Sequence, residues 1–329
     1  MRAPEFWERD GGIWPLLLSP FAAIYARATA RRMARPGERL AVPVICCGAV
    51  TAGGAGKTTL ALDLGRRLAA RGHAPHFLLR GYGGSEKGPV RVDTGRHDSH
   101  AVGDEALLLA ALAPTWVSAD RAAGARRAVE GGAGAIVMDD GLQNPSLEKS
   151  FSLLTIDGSY GFGNGHVIPA GPLREAVRSA AARCRAAVLI GEDEVGALAA
   201  LPPGLPVLRA ALVPGPEMTA LAGQNVFAFC GTGNPRKFFA TLRQGGAVIA
   251  GSEAFADHYP YDEGDMLGLL NTAARLEAIP VTTRKDLVRI PLSFRQRVQV
   301  VSVSLAWEDE SRIEALLEGA FAGHPVTAR

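Results

Sequence analysis

The sequence predicts an α/β fold built on a mainly parallel sheet, and three observations point there. Short apolar runs of strand length alternate with helix-periodic segments from Leu40 to Phe321. Those runs are apolar throughout, as strands covered on both faces require. One strand-to-helix turn, Ala52-Gly53-Gly54-Ala55-Gly56-Lys57-Thr58-Thr59, is glycine-rich and places a lysine at the helix start.

In chain order, Glu5, Glu8 and Asp10 precede an apolar stretch from Ile13 to Ile24, an order that speaks against a cleavable signal. The stretch is also shorter than the ~20 apolar residues that span a bilayer. It carries Trp14, Leu16, Leu17, Leu18 and Phe21, with Trp7 before it and Arg27, Arg31, Arg32 and Arg35 behind. Two readings stand: an interfacial helix seated among anionic head groups, or a helix packed on the protein body. Leu40–Cys47 reads as a strand, Lys57–Arg71 as a helix stopped by Gly72, and His76–Leu79 as a strand entering the turn Gly81-Tyr82-Gly83-Gly84. A helix over Asp104–Leu112, a strand near Trp116 and a helix over Arg121–Val129 follow. Ala135–Met138 is a strand that ends in two aspartates. Further strands are expected at Ser152–Ile156, Ala186–Ile190 and Val207–Ala211.

The proline- and glycine-rich stretch Leu201–Gly223 is the expected linker. Beyond it the pattern restarts: strand Val226–Cys230, helix Arg236–Arg243, strand Ala247–Ile249, helix Asp262–Leu276, strands Pro280–Thr283 and Val298–Val303, and helix Ser311–Phe321. The division predicted is a membrane-associating N-terminal helix over 1–36, a core domain over 37–215, and a smaller C-terminal α/β domain over 216–329. The active site is expected in the cleft between the two domains.

Composition narrows the function classes. The 329 residues are 47% hydrophobic and 21% charged, which excludes a disordered chain. A net charge of +2 gives no basic excess of the kind nucleic-acid binding calls for. Cys46, Cys47, Cys184 and Cys230 lie in or beside apolar stretches without metal-ligand spacing, so they read as small buried hydrophobes in a reducing compartment.

The glycine-rich turn identifies a P-loop NTPase type of sheet. Its glycines let backbone N–H groups turn inward around phosphate oxygens, and the helix start adds its positive dipole end. Thr51 through Thr59 would contact ATP, with Lys57 reaching the β- and γ-phosphates and the Thr58 hydroxyl ligating Mg²⁺. The usual motif opens on Gly where this chain has Thr51. Such a loop needs a carboxylate at the end of a neighbouring strand; Asp139 is the first candidate for the Mg²⁺ contact, with Asp140 beside it. A guanine-reading Asn-Lys-x-Asp segment is missing from the sequence, and the lysine that opens the loop of partitioning ATPases is Ala52 here. A kinase remains.

Gly48–Thr59, Arg80–Gly84, Val102-Gly103-Asp104-Glu105 and Asp139-Asp140-Gly141-Leu142-Gln143 occur in that order. Gly161–Gly165, Pro169–Glu175, Asp257-His258-Tyr259 and Thr282–Asp286 follow. The series resembles the tetraacyldisaccharide 4′-kinases, which phosphorylate the lipid A precursor at the inner face of the Gram-negative inner membrane. The resemblance runs from the apolar N-terminus to about residue 290. It departs where the family usually has His and this chain has Asn144, at Arg284, where Glu is common, and at the loop opening Ala49–Ala52.

The resemblance implies ATP and Mg²⁺ as cofactors, an acylated disaccharide phosphate as substrate, and a peripheral position on the anionic lipid of the inner membrane. Asp104 is the candidate base, against the bland reading of a helix N-cap. His258 would orient Asp104 or share its proton once the cleft closes. Arg174 would clamp phosphate and Glu175 assist the metal, against an ordinary charged pair at a helix start. Arg80 and Tyr82 are candidate substrate contacts, and Gly161–Gly165 reads as a flexible loop able to approach a ligand. The alternatives are a kinase of another lipidic or small alcohol and a nucleotide-driven switch resembling a metallochaperone.

Overall fold

The computed structural model describes residues 4–8 and 11–322; Asp10 lies outside them. A 3₁₀ turn at Glu5–Trp7 precedes helix α1 (Ile13–Met33). The first domain then runs β1 (Val44–Gly48), α2 (Lys57–Ala70), β2 (Pro75–Leu79), β3 (Val90–Arg91), α3 (Ser99–Val102), α4 (Asp104–Ala110), β4 (Thr115–Val117) and α5 (Arg121–Glu130). It continues through β5 (Ala135–Asp139), β6 (Phe151–Asp157), α6 (Val177–Ala181), β7 (Ala186–Ile190) and β8 (Val207–Pro214). The second domain comprises α7 (Glu217–Leu221), β9 (Asn225–Cys230), α8 (Pro235–Gln244), β10 (Val248–Ala254), α9 (Glu263–Arg275), β11 (Ile279–Thr283), α10 (Arg284–Leu287) and β12 (Gln299–Val301). Strand β13 (Val303–Trp307) and helix α11 (Glu310–Phe321) close the chain.

The large sheet has the order β13-β8-β7-β6-β1-β5-β2-β4-β3, with its inner strands parallel and β13 and β3 antiparallel at the edges. Period-two geometry explains its apolar strands. On β1, Ile45 and Cys47 face a core shared with Leu60, Leu64 and Leu68 of α2, while Val44 and Cys46 face the opposite core with Ala125 of α5 and Ala180 of α6. Strands β1, β2, β5, β6 and β7 therefore bury both faces, whereas β8 leaves Arg209, Ala211 and Leu212 exposed. The small sheet, β10-β9-β11-β12, repeats the design: Val226 and Ala228 pack on Phe238 and Leu242 of α8, and Phe227 and Phe229 on Met266 and Leu269 of α9. All four cysteines are free, and only Cys184 is not fully buried.

Two expectations need correction. The stretch Leu201–Gly223 is not wholly a linker, because β8 inside it is an inner strand of the large sheet and Met218 and Leu221 of α7 enter the second core. Nor does 216–329 form one unit. The single strand expected at Val298–Val303 is two strands, β12 in the small sheet and β13 in the large one. Leu305, Trp307, Ile313 and Leu317 join the core beside α2, and the Trp307 indole N–H donates to the buried Asp63 at 3.0 Å. The chain thus crosses between the domains twice. The two crossings are tied together, the Gly215 N–H donating to Ser302 O at 2.8 Å and the Ser302 hydroxyl to Glu217 at 3.0 Å. Two adjacent strands tethered in this way fix the orientation of the small sheet better than one linker would.

Because α11 completes the first core, Ile313→Ala should lower the urea-derived unfolding free energy by about 2–5 kcal/mol, the range for emptying a buried branched site. Binding of a nucleotide at the distant loop should weaken in parallel with the loss of folded protein. An unchanged urea midpoint would mean that the C-terminal helix is dispensable to the large sheet.

Candidate active site

Parallel pairing of β1 with β5 sets the register Cys47↔Asp139, so the carboxylate emerges where the phosphate loop leaves the sheet. There the Thr58 hydroxyl donates to Asp139 Oδ2 at 2.7 Å. Asp139 is buried, and its Oδ1 has no partner among the described residues. Burial first of all, then the neighbouring Asp140, pushes its carboxyl up to about 7, against the pull of Thr58 and Lys57. A buried carboxylate oxygen without a donor, beside a threonine hydroxyl, is a donor set suited to a hard divalent cation.

The loop itself is held open by backbone geometry. Gly56 has φ +82°, where a side chain is strained, and a Cβ there would also meet the Ile190 side chain at 2.6 Å. Thr51 is buried, bridges Leu173, and is not left-handed, so the missing glycine at that position costs nothing. Ala52 N–H donates to Pro172 O at 2.8 Å, which anchors the loop to the 169–174 segment. Lys57 Nζ donates to Gly53 O at 3.1 Å and stands 3.7 Å from Asp140 Oδ1.

Asp140 and Glu175 each pair with an arginine. Asp140, at φ +56°, accepts from Arg174 Nη1 at 2.7 and 2.8 Å. Burial pushes its carboxyl up, but Lys57 and Arg174 outweigh that and hold it below its ordinary value. Glu175 is buried with both oxygens engaged by Arg183 Nη2, at 2.8 and 2.7 Å, and one also by Gln143 at 3.0 Å. Both carboxylates thus sit against arginines, whereas Asp139 has no such ion pair among the described residues. Arg174 is likewise engaged by Asp140 rather than standing free.

Across the cleft, Asp104 opens α4 after Gly103, and its side chain does not cap the helix. It is buried, and Oδ2 lies 2.7 Å from His258 Nδ1 of the second domain. The same oxygen lies 3.2 Å from Arg289 Nε. The hydrogen bond to Asp104 raises the His258 pKa, with burial and Lys285 offsetting it in part. His258 Nε2 faces Lys285 Nζ at 3.5 Å and Asp257 at 3.8 Å. The Gly81–Gly84 turn packs backbone to backbone under Gly103, whose φ is +86° and whose added Cβ would meet Tyr82 O at 2.6 Å. Arg80 and Tyr82 themselves point to solvent, Tyr82 being 78% exposed.

Gly161–Gly165 is not a free ligand loop. Asn164 is buried, donates from Nδ2 to Phe6 O at 2.9 Å and Ala170 O at 3.0 Å, and from its backbone N–H to Trp7 O at 2.8 Å. The loop therefore ties the N-terminal segment to the body, with Trp7 Nε1 donating to Pro169 O at 3.2 Å. Asn144 closes a local turn, its Oδ1 accepting from Ser146 N at 2.9 Å. Sequence reasoning missed Arg121, Arg183 and Arg289. Arg121 is buried, and burial first, then Arg80, lowers its pKa to about 10. The available signal for Arg289 was a charge flanked by Val288 and Ile290 close after Asp286, which implies burial with a partner.

Known proteins resemble this chain along nearly its whole length. The family described as tetraacyldisaccharide-1-P 4′-kinase, LpxK, matches residues 14–322. The tetraacyldisaccharide 4′-kinase of Gluconacetobacter diazotrophicus is 56% identical over 97% of this chain and 98% of its own length. That of Rhodospirillum rubrum is 51% identical over 98% and 99% respectively. A crystal structure of LpxK from Aquifex aeolicus in complex with ATP superposes with a TM-score of 0.76 at 25% identity, covering 94% of this chain and 100% of that one.

The raised Asp139 pKa carries a stability consequence. A carboxyl whose folded pKa exceeds its unfolded value near 3.8 binds more protons when folded, so its contribution is present below that value and lost as pH rises through about 7. Asp139→Asn should therefore melt above the parent protein at pH 8 without nucleotide, and close to it at pH 4. Equal midpoints at both pH values in a thermal scan would remove the buried charge as the cause.

Proposed function

The chain belongs to the tetraacyldisaccharide-1-P 4′-kinase family, and on that premise we propose how its residues move phosphate. It is an ATP-dependent kinase that transfers the γ-phosphate to the 4′-hydroxyl of the lipid A precursor, tetraacyldisaccharide 1-phosphate. Supporting the division of labour below is one observation above all: the Asp104–His258 contact of 2.7 Å between the domains, on the nucleotide side of the large sheet.

The N–H groups of residues 51–59 would cradle the triphosphate, with Lys57 turning from Gly53 O and Asp140 onto the β- and γ-phosphates. Thr58 and Asp139 would hold Mg²⁺, which supplies charge neutralisation on the phosphate oxygens. Asp104 accepts the proton of the attacking hydroxyl, and His258 holds the carboxylate in place and shares that proton. Arg174 and Asp140 keep Lys57 aimed, while Arg80 and Tyr82, exposed on the neighbouring turn, meet the incoming sugar phosphate.

Substrate of this kind lies in a bilayer, and α1 is shaped for that surface. Its first turns expose Ile13, Trp14, Leu16, Leu17, Phe21 and Ile24, with Leu16 73% and Ile24 68% accessible, while Pro15, Ala22 and Thr29 face the body. Arg27, Arg31 and Arg32 follow on the exposed side. No helix among the described residues is long and apolar enough to cross a membrane. We place the enzyme peripherally at the inner face of the inner membrane, with the apolar turns among acyl chains and the arginines at anionic head groups.

With γ-labelled ATP and a tetraacyl disaccharide 1-phosphate, label should appear in the lipid; label released only as free phosphate would favour a nucleotide-driven switch. Asp104→Ala should cost about 10²–10⁴ in kcat with ATP affinity little changed. Replacing the exposed Leu16, Leu17 and Phe21 by Ser should abolish sedimentation with anionic vesicles while leaving the melting temperature unaltered. Undiminished sedimentation would refute the interfacial role of α1.

A further inference from the structure

We propose that Arg289 is the positioning residue of the proton-accepting pair: it locks the His258 turn in place and sets a positive charge 3.2 Å from the Asp104 carboxylate. The inference rests on reading Asp104 and His258 as that pair.

Arg289 is 1% exposed, and its guanidinium is used on every side. Nη1 donates to Tyr259 O at 3.1 Å, and Nη2 to Gly231 O at 3.0 Å and Asp286 Oδ1 at 2.8 Å. Nε faces Lys285 O at 3.3 Å and Asp104 Oδ2 at 3.2 Å. Gly231 O also accepts the His258 N–H at 3.2 Å. The arginine therefore grips the carbonyl that holds His258 and the carbonyl of the residue after it.

That grip has a purpose, since His258 sits at φ +61°. Residues with a Cβ leave this region unless their surroundings enforce it. Released, the turn relaxes and swings Nδ1 away from Asp104. A lysine keeps the charge but lacks the planar fork that reaches three carbonyls and two carboxylates together. Asp286 fixes the fork in turn, being buried and accepting also from Gly231 N–H at 2.7 Å and the Tyr261 hydroxyl at 3.0 Å.

The electrostatic consequence has a definite sign. Asp104 and Asp257 face His258 as acids and Lys285 as a base, while Glu105 follows Asp104 on α4 and Asp286 stands behind Arg289. Removing the Arg289 charge takes away the cation 3.2 Å from Asp104 Oδ2, with Lys285 still facing His258. Protons then bind the pair more tightly, and the base becomes available only at higher pH.

The test is kcat and KM against pH for full-length Arg289→Gln, Arg289→Lys and Asp104→Asn, with ATP and the disaccharide lipid. Arg289→Gln should lose at least roughly tenfold in kcat, keep its ATP KM, and move the acid limb upward. Arg289→Lys should lose kcat with the limb unmoved. Parental kcat in both Arg289 variants, or a loss confined to ATP KM, overturns the proposal. Should Arg289→Gln fail to fold by circular dichroism, Arg289→Lys decides alone, and parental kcat there overturns it. An active Asp104→Asn would overturn the reading of the pair itself, whereas an inactive Asp104→Asn beside unimpaired Arg289 variants would sink only the role of Arg289.

Discussion

The parallel pairing of β1 with β5 is the constraint from which the nucleotide site follows. Parallel strands deliver their C-terminal ends to one edge of the sheet, where the phosphate loop leaves β1 and Asp139 leaves β5. Covering both faces with helices buries those ends. Burial is why the Asp139 carboxyl is pushed up and why Asp140 and Glu175 must be matched by Arg174 and Arg183. Of the three carboxylates, Asp139 has no ion pair with an arginine or lysine among the described residues.

The second half of the site comes from a different sheet, so its precision depends on how the two sheets are joined. Two chain crossings, at Gly215 and Ser302, are hydrogen-bonded to each other, and β13 with α11 completes the first core. Lys237 of α8 adds a bridge to Asp157 at the end of β6 at 2.8 Å. His258 reaches Asp104 because of these ties. Were the second domain on a single linker, the 2.7 Å contact would carry the full entropy cost of bringing the domains together.

A chain of contacts also links the N-terminal segment to the phosphate loop. Phe6 and Trp7 are held by Asn164 and Pro169, and the next residues, through Pro172, hold Ala52. The N-terminal segment and the glycine-rich loop thus share one support.

What the residues alone determined was local. Continuous apolar runs marked buried parallel strands, glycine spacing marked the phosphate loop, and an apolar run ending in Asp139 marked its partner, because each signal is written in a few adjacent side chains. The ordered motifs carried the family, and through it the substrate and the pairing of Asp104 with His258. Tertiary structure decided everything that depends on residues far apart in the chain. It moved β13 and α11 to the first domain, since an antiparallel edge strand looks the same in sequence whichever sheet receives it. It turned Gly161–Gly165 from a ligand loop into a latch, because glycines mark close approach without naming what approaches. It also chose among the carboxylates, since which acid meets an arginine is settled by where Arg174, Arg183 and Arg289 arrive in space, a distance that spacing along the chain does not encode.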